Sequence, residues 1–209
     1  MVGEGVLHEC LLSPDVEKVL VVNRKPCGVT HPKLSEIIHE NFFDLSSIET
    51  ALSGYNACFF CLGVSSVGMK KEVYEKITYD LTMGFAKTLV RVNTSISFCY
   101  VTGAGTDSTE KGRLHWARIK GKTENDLQKL GFRQTFLFRP GMLKPTKGQK
   151  NIPGIYKWVG WLTPAIETLF PSITCSLAQL GQAMIHAVKN GYGKNIIEIS
   201  DIKRLALNA

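Results

Sequence analysis

Three short apolar segments, each followed by a glycine and separated by helix-length stretches, constrain the fold of this chain most. They are residues 57–62, 96–101 and 135–138, and the glycines that follow them are Gly63, Gly103 and Gly141. Continuous apolar runs of this length are typical of strands in a parallel sheet whose two faces are covered by helices. Strands that alternate with helices of ten or more residues favour right-handed crossovers. The sequence therefore predicts an α/β fold with a doubly wound parallel sheet.

The first 26 residues have the pattern of a glycine-opened helix, a short turn and an apolar strand. Gly3 and Gly5 precede apolar residues at helical spacing, and Ser13-Pro14-Asp15 ends the predicted helix. Residues 18–22 form a predicted strand buried on both faces, which ends in the basic turn 23–26. This order matches the second half of a βαβ dinucleotide-binding unit. Alternatively, Gly3 and Gly5 are ordinary helix-entry glycines.

The remaining elements follow from the same periodicities. Further predicted strands span residues 36–43 and 196–199, and predicted helices span residues 70–91, 114–130 and 177–189. One short predicted helix begins after Ser46 or Ser47, which would cap it, and a second short helix ends the chain. Residues 145–153 form a connection that contains glycine, lysine and proline. We expect the aromatic residues of the segment 154–170 to pack a lid or an oligomer contact, which a homodimer would use.

Composition limits the classes of partner. The 209 residues carry a formal net charge of +7, but the basic residues are dispersed and form no arginine-rich tract. A phosphate-bearing ligand therefore explains the charge more simply than nucleic acid does. No apolar run approaches the ~20 residues that span a bilayer, and no signal peptide opens the chain, so we expect a cytoplasmic protein. Cys58 and Cys61 have redox or metal spacing, but residues three apart on a strand point to opposite faces, so we expect no metal site.

The order of these elements, the helix that contains Lys120 and the turn Arg139-Pro140-Gly141 resemble the atypical branch of the short-chain dehydrogenase/reductase superfamily. The Tat-interacting-protein (oxidoreductase-like) group is the most similar one. Its chains open with a strand and a TGATGxxG phosphate loop, and Gly3 matches the last glycine of that loop. The resemblance implies a three-layer Rossmann-type domain over residues 1–143 that lacks its first strand, and a substrate-side region over residues 144–209. It also implies a truncated chain that is less stable than a full-length parent.

Residues at predicted strand ends are candidates for cofactor binding. In an open parallel sheet the ligand crevice lies outside the carboxyl ends of the strands, where glycine lets the backbone approach a nucleotide closely. Glycines are also common in simple turns. Arg24 and Lys25 stand where related proteins carry an acidic residue that binds ribose hydroxyls. Because an arginine fork and a lysine charge both suit a 2′-phosphate, we expect NADP(H) rather than NAD(H), with a solvated basic turn as the alternative.

The resemblance implies further cofactor contacts. Asp44 and Leu45 match the position that contacts adenine, although Asp44 is explained equally well as a helix-entry residue. The complete expected set is Gly3, Arg24, Lys25, Asp44, Leu45, Leu62, Gly63, Val64, Thr102, Lys120, Pro140 and Gly141.

Trp116 and Lys120 occupy the positions of the superfamily's catalytic pair, a tyrosine and a lysine four residues apart on one helix face. In that pair the lysine holds the nicotinamide ribose and lowers the pKa of the phenol, which then exchanges a proton. Indole donates a hydrogen bond but exchanges no proton at a useful pH. His115 is rotated about 100° away and does not replace the tyrosine. Lys120 and Thr102, in place of the usual substrate-orienting serine, are therefore the expected catalytic residues.

Two functional hypotheses remain. The first is an NADP(H)-binding oxidoreductase or epimerase-like enzyme that acts on an unknown small molecule. The second is a non-catalytic nucleotide-sensing or partner-binding regulator, which Trp116 favours.

Overall fold

The computed structural model describes residues 1–144 and 173–207, so the predicted connection 145–153 and the aromatic segment 154–170 lie outside the described residues. The described helices and strands are, in chain order, α1 (Val2–Leu12), β1 (Val19–Asn23), β2 (Leu34–Ile38), β3 (Ala57–Phe60), α2 (Lys71–Glu75), α3 (Leu81–Val92), β4 (Ser97–Val101), α4 (His115–Leu127), β5 (Gln134–Arg139), β6 (Met142–Lys144), β7 (Thr174–Ser176), α5 (Leu177–Asn190), β8 (Ile196–Glu198) and α6 (Ile199–Leu207).

The chain divides into two compact units. The terminal unit comprises Met1–His39 and Pro140–Ala209, and the middle unit comprises Glu40–Arg139. The pairs β1–β2, β3–β4, β4–β5 and β6–β7 are all parallel, which confirms the predicted α/β fold class. The expected division into residues 1–143 and 144–209 stays a prediction.

The middle unit contains a parallel sheet in which β4 lies between β3 and β5. β4 and β5 are almost fully buried, as the continuous apolar runs predict. Aromatic rings fill the core beside them: the centroids of Phe60 and Phe98 are 5.8 Å apart, and those of Phe98 and Phe132 are 4.8 Å apart. The apolar sequence of these strands therefore fixes the sheet that carries the candidate site.

A π-helical turn, Lys76–Asp80, joins α2 to α3 within the predicted helix 70–91. The turn changes which residues face the core. In a regular helix, Val73 would share an apolar face with Ile77 and Leu81, at spacings of four residues, and the sequence predicts that face to be buried. Val73 is instead 44% exposed, whereas its neighbour Tyr74 is 2% exposed. The prediction was wrong at Val73 because a π turn shifts the helical phase relative to a regular 3.6-residue period.

Two other predictions were wrong in the first third of the chain. The strand expected over residues 36–43 is Leu34–Ile38, because Asn41 and Asp44 start turns instead: Phe43 N–H donates to Asn41 Oδ1 at 3.1 Å, and Ser46 N–H donates to Asp44 Oδ1 at 3.0 Å. The helix expected after Ser46 or Ser47 is a 3₁₀ turn, Glu49–Leu52, without a side-chain cap.

The terminal unit contains two parallel pairs, β1–β2 and β6–β7, and sequence periodicity missed β6 and β7. The strand predicted over residues 18–22 is present as β1, but it is half-buried rather than buried on both faces. A two-stranded sheet offers each strand one neighbour, so full burial is not reached.

Helices α1 and α5 pack closely in the terminal unit. Ser176 caps α5 and forms a reciprocal capping box with Gln179. Gly181 of α5 lies against the buried Glu9 of α1: a Cβ atom at Gly181 would be 2.7 Å from Glu9 Cγ. Gln182 Nε2 donates to Glu9 Oε2 at 3.0 Å, so the buried carboxylate is hydrogen-bonded across the helix pair. Across the described ranges 1–144 and 173–207, the structure contains no helix that is both long and apolar enough to cross a membrane.

Asp201 holds the end of the terminal unit together. Its Oδ1 accepts hydrogen bonds from Tyr192 at 2.6 Å, Lys194 at 3.2 Å and Arg204 at 2.7 Å, and its Oδ2 accepts from Glu198 N–H at 3.3 Å. Burial raises the pKa of Asp201, but these hydrogen bonds outweigh burial and lower the pKa overall. The carboxylate therefore stabilises the fold above its unfolded-state pKa of about 4, and this stabilisation is lost as the pH falls through the lower folded-state value.

We therefore expect Asp201→Asn to reduce the free energy of unfolding by about 2 kcal/mol at pH 7, because a charged acceptor is removed. The difference from the wild type should shrink as the pH falls below about 4, the unfolded-state value, and through the lower folded-state pKa of Asp201, where the wild-type carboxylate becomes protonated. Urea titrations at pH 7 and pH 3 measure both values. Asp15→Asn is the matched control, because Asp15 pairs with Lys189 at the surface and contributes less than about 1 kcal/mol. Equal losses in the two variants at pH 7 would contradict the account.

Candidate functional site

The carboxyl ends of β3, β4 and β5 meet at one edge of the sheet in the middle unit. In the strand register Phe60 lies opposite Tyr100, and Tyr100 lies opposite Leu137. The expected site residues Leu62 and Thr102 each come two positions later, at the end of their strands. Gly63 is exposed, and a Cβ atom there would meet no atom within 4 Å. Protein packing therefore does not require this glycine, and the space above it is open to a ligand.

Lys120 and Thr102 are brought together at this edge. Helix α4 directs Lys120 Nζ to the backbone carbonyl of Thr102, to which it donates at 2.6 Å. Burial lowers the pKa of Lys120, and the negative charge of Glu124 opposes that shift. The amine is therefore a fixed and partly desolvated hydrogen-bond donor.

Trp116 lies one turn before Lys120 on α4. Lys120 Nζ is 5.9 Å from the centroid of the Trp116 ring. The ring also faces Gly105, which has a φ of 85°, and a Cβ atom there would be 3.5 Å from Trp116 Cη2. His115 points elsewhere, with Nε2 3.4 Å from the carbonyl oxygen of Lys71. The tyrosine position of the expected pair thus holds an indole beside the lysine.

A buried ion pair, which sequence reasoning missed, supports these residues. Glu124 is fully buried, and Arg139 Nε donates to its Oε1 at 3.1 Å and to its Oε2 at 3.2 Å. Arg139 Nη2 contacts the same carboxylate and donates to Ser108 Oγ at 2.6 Å. Thr102 Oγ1 donates to Glu124 Oε1 at 2.6 Å. The only sequence signal was the spacing of four residues between Lys120 and Glu124, which places both on one helix face.

The loop after β4 is fixed on α4 by its own hydrogen bonds. Asp107 N–H donates to the carbonyl oxygen of Ala117 at 3.1 Å. The Asp107 carboxylate accepts hydrogen bonds from the hydroxyl of Thr109 at 2.6 Å and from Gly112 N–H at 2.6 Å, and these bonds lower the pKa of Asp107. At Gly121 the loop approaches so closely that a Cβ atom would be 1.8 Å from the Asp107 carbonyl oxygen.

The basic turn that follows β1 is exposed. Arg24 and Lys25 follow Asn23, the last residue of the strand, and both are solvent-accessible. The turn is held by Glu36 of β2, whose Oε1 accepts hydrogen bonds from Asn23 Nδ2 at 3.2 Å and from Cys27 N–H at 2.8 Å. Two cationic side chains are therefore presented to solvent from a fixed backbone.

Several other expected cofactor residues have a packing role. The Asp44 carboxylate accepts from Ser46 N–H, and Leu45 is buried. Pro140 is buried, and a Cβ atom at Gly141 would be 2.2 Å from the carbonyl oxygen of Ile173. These packing contacts explain the residue types without a cofactor, and their role in binding stays a prediction. The role in binding of the two remaining residues, the exposed Gly3 in α1 and Val64 after β3, also stays a prediction.

The described cysteines and acidic residues give no support to metal chemistry. No group of three or more His, Cys, Asp or Glu side chains in residues 1–144 and 173–207 is arranged to hold a metal ion. Burial, followed by the charge of Cys61, raises the pKa of the Cys58 thiol. A raised pKa disfavours the thiolate that metal or redox chemistry requires.

The fold resembles those of solved enzymes, among them a UDP-N-acetylglucosamine 4-epimerase. UDP-N-acetylglucosamine 4-epimerase from Methanobrevibacter ruminantium, in complex with UDP-N-acetylmuramic acid, aligns with a TM-score of 0.68 and 13% identity over 94% of this chain and 72% of its own. The enzyme WbmF of Bordetella bronchiseptica, in complex with NAD+, aligns with a TM-score of 0.66 and 14% identity over 99% of this chain and 73% of its own. The chain therefore has a Rossmann-type α/β fold, which it shares with these structures.

The relatives found by sequence have names that state no activity. The protein fmp52-1, mitochondrial, of Aspergillus terreus is 24% identical over 160 residues, which cover 72% of this chain and 66% of that relative. The chain thus spans slightly less than two thirds of the relative's length. No family model matches the chain.

The expected cytoplasmic localisation was wrong. The fmp52-1 relative and others that match, including those of Aspergillus oryzae and Neurospora crassa, are named as mitochondrial proteins. The expectation depended on the lack of a secretory signal and of a membrane-spanning segment, and neither feature distinguishes the cytoplasm from a mitochondrion.

Proposed function

We propose that this chain is an NADP(H)-binding protein of the atypical short-chain dehydrogenase/reductase type that acts as an oxidoreductase or an epimerase-like enzyme on a small molecule. The observation that carries the proposal is the Lys120 amine, held at 2.6 Å from the Thr102 carbonyl at the carboxyl edge of a parallel sheet. Ligands of open α/β sheets bind at this edge. The likeness to WbmF, whose structure contains NAD+, supports a nicotinamide cofactor.

Residues of this chain fit such a cofactor. The Lys120 ammonium is a partly desolvated donor that suits ribose hydroxyls, and a Cβ atom at Gly63 would meet no atom within 4 Å, so packing does not block the strand edge at that residue. Arg24 and Lys25 offer two cations, which suit a 2′-phosphate and therefore favour NADP(H) over NAD(H). When bound, the cofactor supplies hydride-transfer chemistry.

A second candidate is a protein that binds the nucleotide without turning it over. Trp116 favours it, because the indole occupies the position of the proton-exchanging tyrosine beside Lys120. The two candidates share one cofactor site and differ in whether a proton donor is present. Restoring the donor therefore distinguishes them.

We expect Trp116→Tyr to raise the rate of NADPH oxidation with small carbonyl compounds by at least about 100-fold, because a positioned general acid contributes 100-fold or more. Trp116→Phe is the matched control, since phenylalanine has a ring of the same size as tyrosine but lacks the exchangeable phenol proton. The rate is followed by the loss of NADPH absorbance with a panel of aldehydes and ketones. Equal rates for the two variants, with NADPH bound by both, would favour the non-catalytic candidate.

A further inference from the structure

Lys120 is held by a carbonyl group whose own position depends on other residues. Thr102 follows the last residue of β4, and its backbone N–H donates to the Phe138 carbonyl oxygen at 2.8 Å. Its side-chain hydroxyl donates to Glu124 Oε1 at 2.6 Å. Thr102 is thus fixed on both its backbone and its side chain, and its carbonyl oxygen is aimed at Lys120 Nζ at 2.6 Å.

Glu124 is itself fixed by charge. Its carboxylate is fully buried, and Arg139 donates to both of its oxygens through Nε at 3.1 and 3.2 Å. A buried carboxylate needs such a partner, because an unpaired charge in the interior costs several times the energy of an ordinary hydrogen bond. Arg139 is also held by Ser108, whose hydroxyl oxygen accepts from Nη2 at 2.6 Å. The carboxylate therefore has little freedom to move.

We infer that Glu124 is a positioning residue for Lys120: fixed by Arg139, it holds the Thr102 hydroxyl and keeps the Thr102 carbonyl in place for the lysine amine. Glu124 also lies one helical turn after Lys120 on α4, so its negative charge favours the ammonium form. Within the described residues, the charge of Glu124 from α4 acts on the amine, and Arg139 from the end of β5 pairs with Glu124.

The consequence of this arrangement for cofactor binding rests on the proposed function. The positioning of Lys120 by Glu124 does not, because the protonation and accessibility of the Lys120 amine can be measured without a cofactor. Trace acetylation with acetic anhydride over a pH series, followed by mass spectrometry, reports the fraction of each lysine that is unprotonated and accessible. Lys122, two residues later on α4 and paired with Glu75 at 3.5 Å, serves as the internal control.

We expect Glu124→Gln to raise the acetylation of Lys120 at neutral pH about tenfold, because loss of one nearby charge moves a pKa by about one unit. Acetylation of Lys122 should stay unchanged. Glu124→Asp, which keeps the charge, should change Lys120 less than Glu124→Gln does. An unchanged pH profile of Lys120 in folded Glu124→Gln protein would overturn the inference.

A second pair of variants covers the case in which Glu124→Gln does not fold, since it leaves Arg139 without its carboxylate. Thr102→Val removes the hydroxyl that Glu124 holds, and it leaves the Glu124–Arg139 pair intact. We expect Thr102→Val to raise Lys120 acetylation about threefold at fixed pH, and Thr102→Ser, which keeps the hydroxyl, to match the wild type. Equal acetylation of Lys120 in the valine and serine variants would overturn the positioning role. If NADPH fails to bind while these labelling results hold, the proposed function fails and the inference stands.

Discussion

Gly121→Ala is expected to destabilise the middle unit by about 3 kcal/mol, because the added Cβ atom would lie 1.8 Å from the Asp107 carbonyl oxygen and 2.5 Å from the carbonyl carbon. Both atoms belong to the backbone of the loop after β4, which cannot move aside as a flexible side chain can. The higher helix propensity of alanine recovers only about 1 kcal/mol of this cost. The free energy of unfolding, measured in urea, gives the loss.

Gly84→Ala is the matched control, because Gly84 is also a helical glycine and a Cβ atom there would meet nothing within 4 Å. Alanine at that position should stabilise the chain by about 0.5–1 kcal/mol through helix propensity. The two substitutions are chemically identical and should have opposite signs. A stabilising effect of both would show that the loop does not approach α4 as closely as the structure places it.

Lys120→Met is expected to weaken NADPH binding by about 10- to 100-fold. Methionine keeps much of the apolar stem of lysine but removes the ammonium group, and a hydrogen bond from a charged donor contributes about 1.5–3 kcal/mol. Isothermal titration calorimetry of the variant and the wild type measures the ratio of dissociation constants. Circular dichroism shows whether the variant keeps its fold.

Lys122→Met is the control for this second prediction. Lys122 lies on the same helix, pairs with Glu75 at 3.5 Å and sits 4.2 Å from the centroid of the Tyr79 ring, so it has the same charge but different neighbours. Its substitution should change NADPH affinity by less than about threefold, as expected for an exposed charge pair. Equal weakening by both substitutions would indicate a general effect of net charge and would contradict a specific role of Lys120.

The strands that carry the candidate site were predictable from sequence. β4 and β5 are buried and almost continuously apolar, so their type, order and carboxyl ends followed from local pattern. The boundary of β2 was not predictable in this way, because the apolar pair Phe42-Phe43 follows Ile38 after only three polar residues, while Asn41 begins a turn. The apolar residues favour a longer strand there, whereas the side-chain hydrogen bonds favour turns, and the structure has the turns.

The buried ion pair and the close loop contact that hold the site in place were not predictable from local sequence pattern. Glu124 and Arg139 are 15 positions apart, and each is a common residue in an exposed helix or strand end. Only the tertiary fold brings them together and buries them. The same is true of Gly121, whose importance comes from a loop contact with Asp107 rather than from any feature of the helix sequence. Lys120 and Thr102 were identified because their positions match a family motif, and their contact is consistent with that choice.

Calorimetric titration of NADPH, and separately of NADH, into the wild-type chain tests the proposed cofactor most directly. We expect micromolar binding of NADPH and about tenfold weaker binding of NADH, because the 2′-phosphate adds a charge-assisted contact of about 1.4 kcal/mol with the basic turn at Arg24 and Lys25. Equal affinity for the two nucleotides would contradict the assignment of that turn. No binding of either nucleotide would contradict the central claim that the chain binds a nicotinamide cofactor.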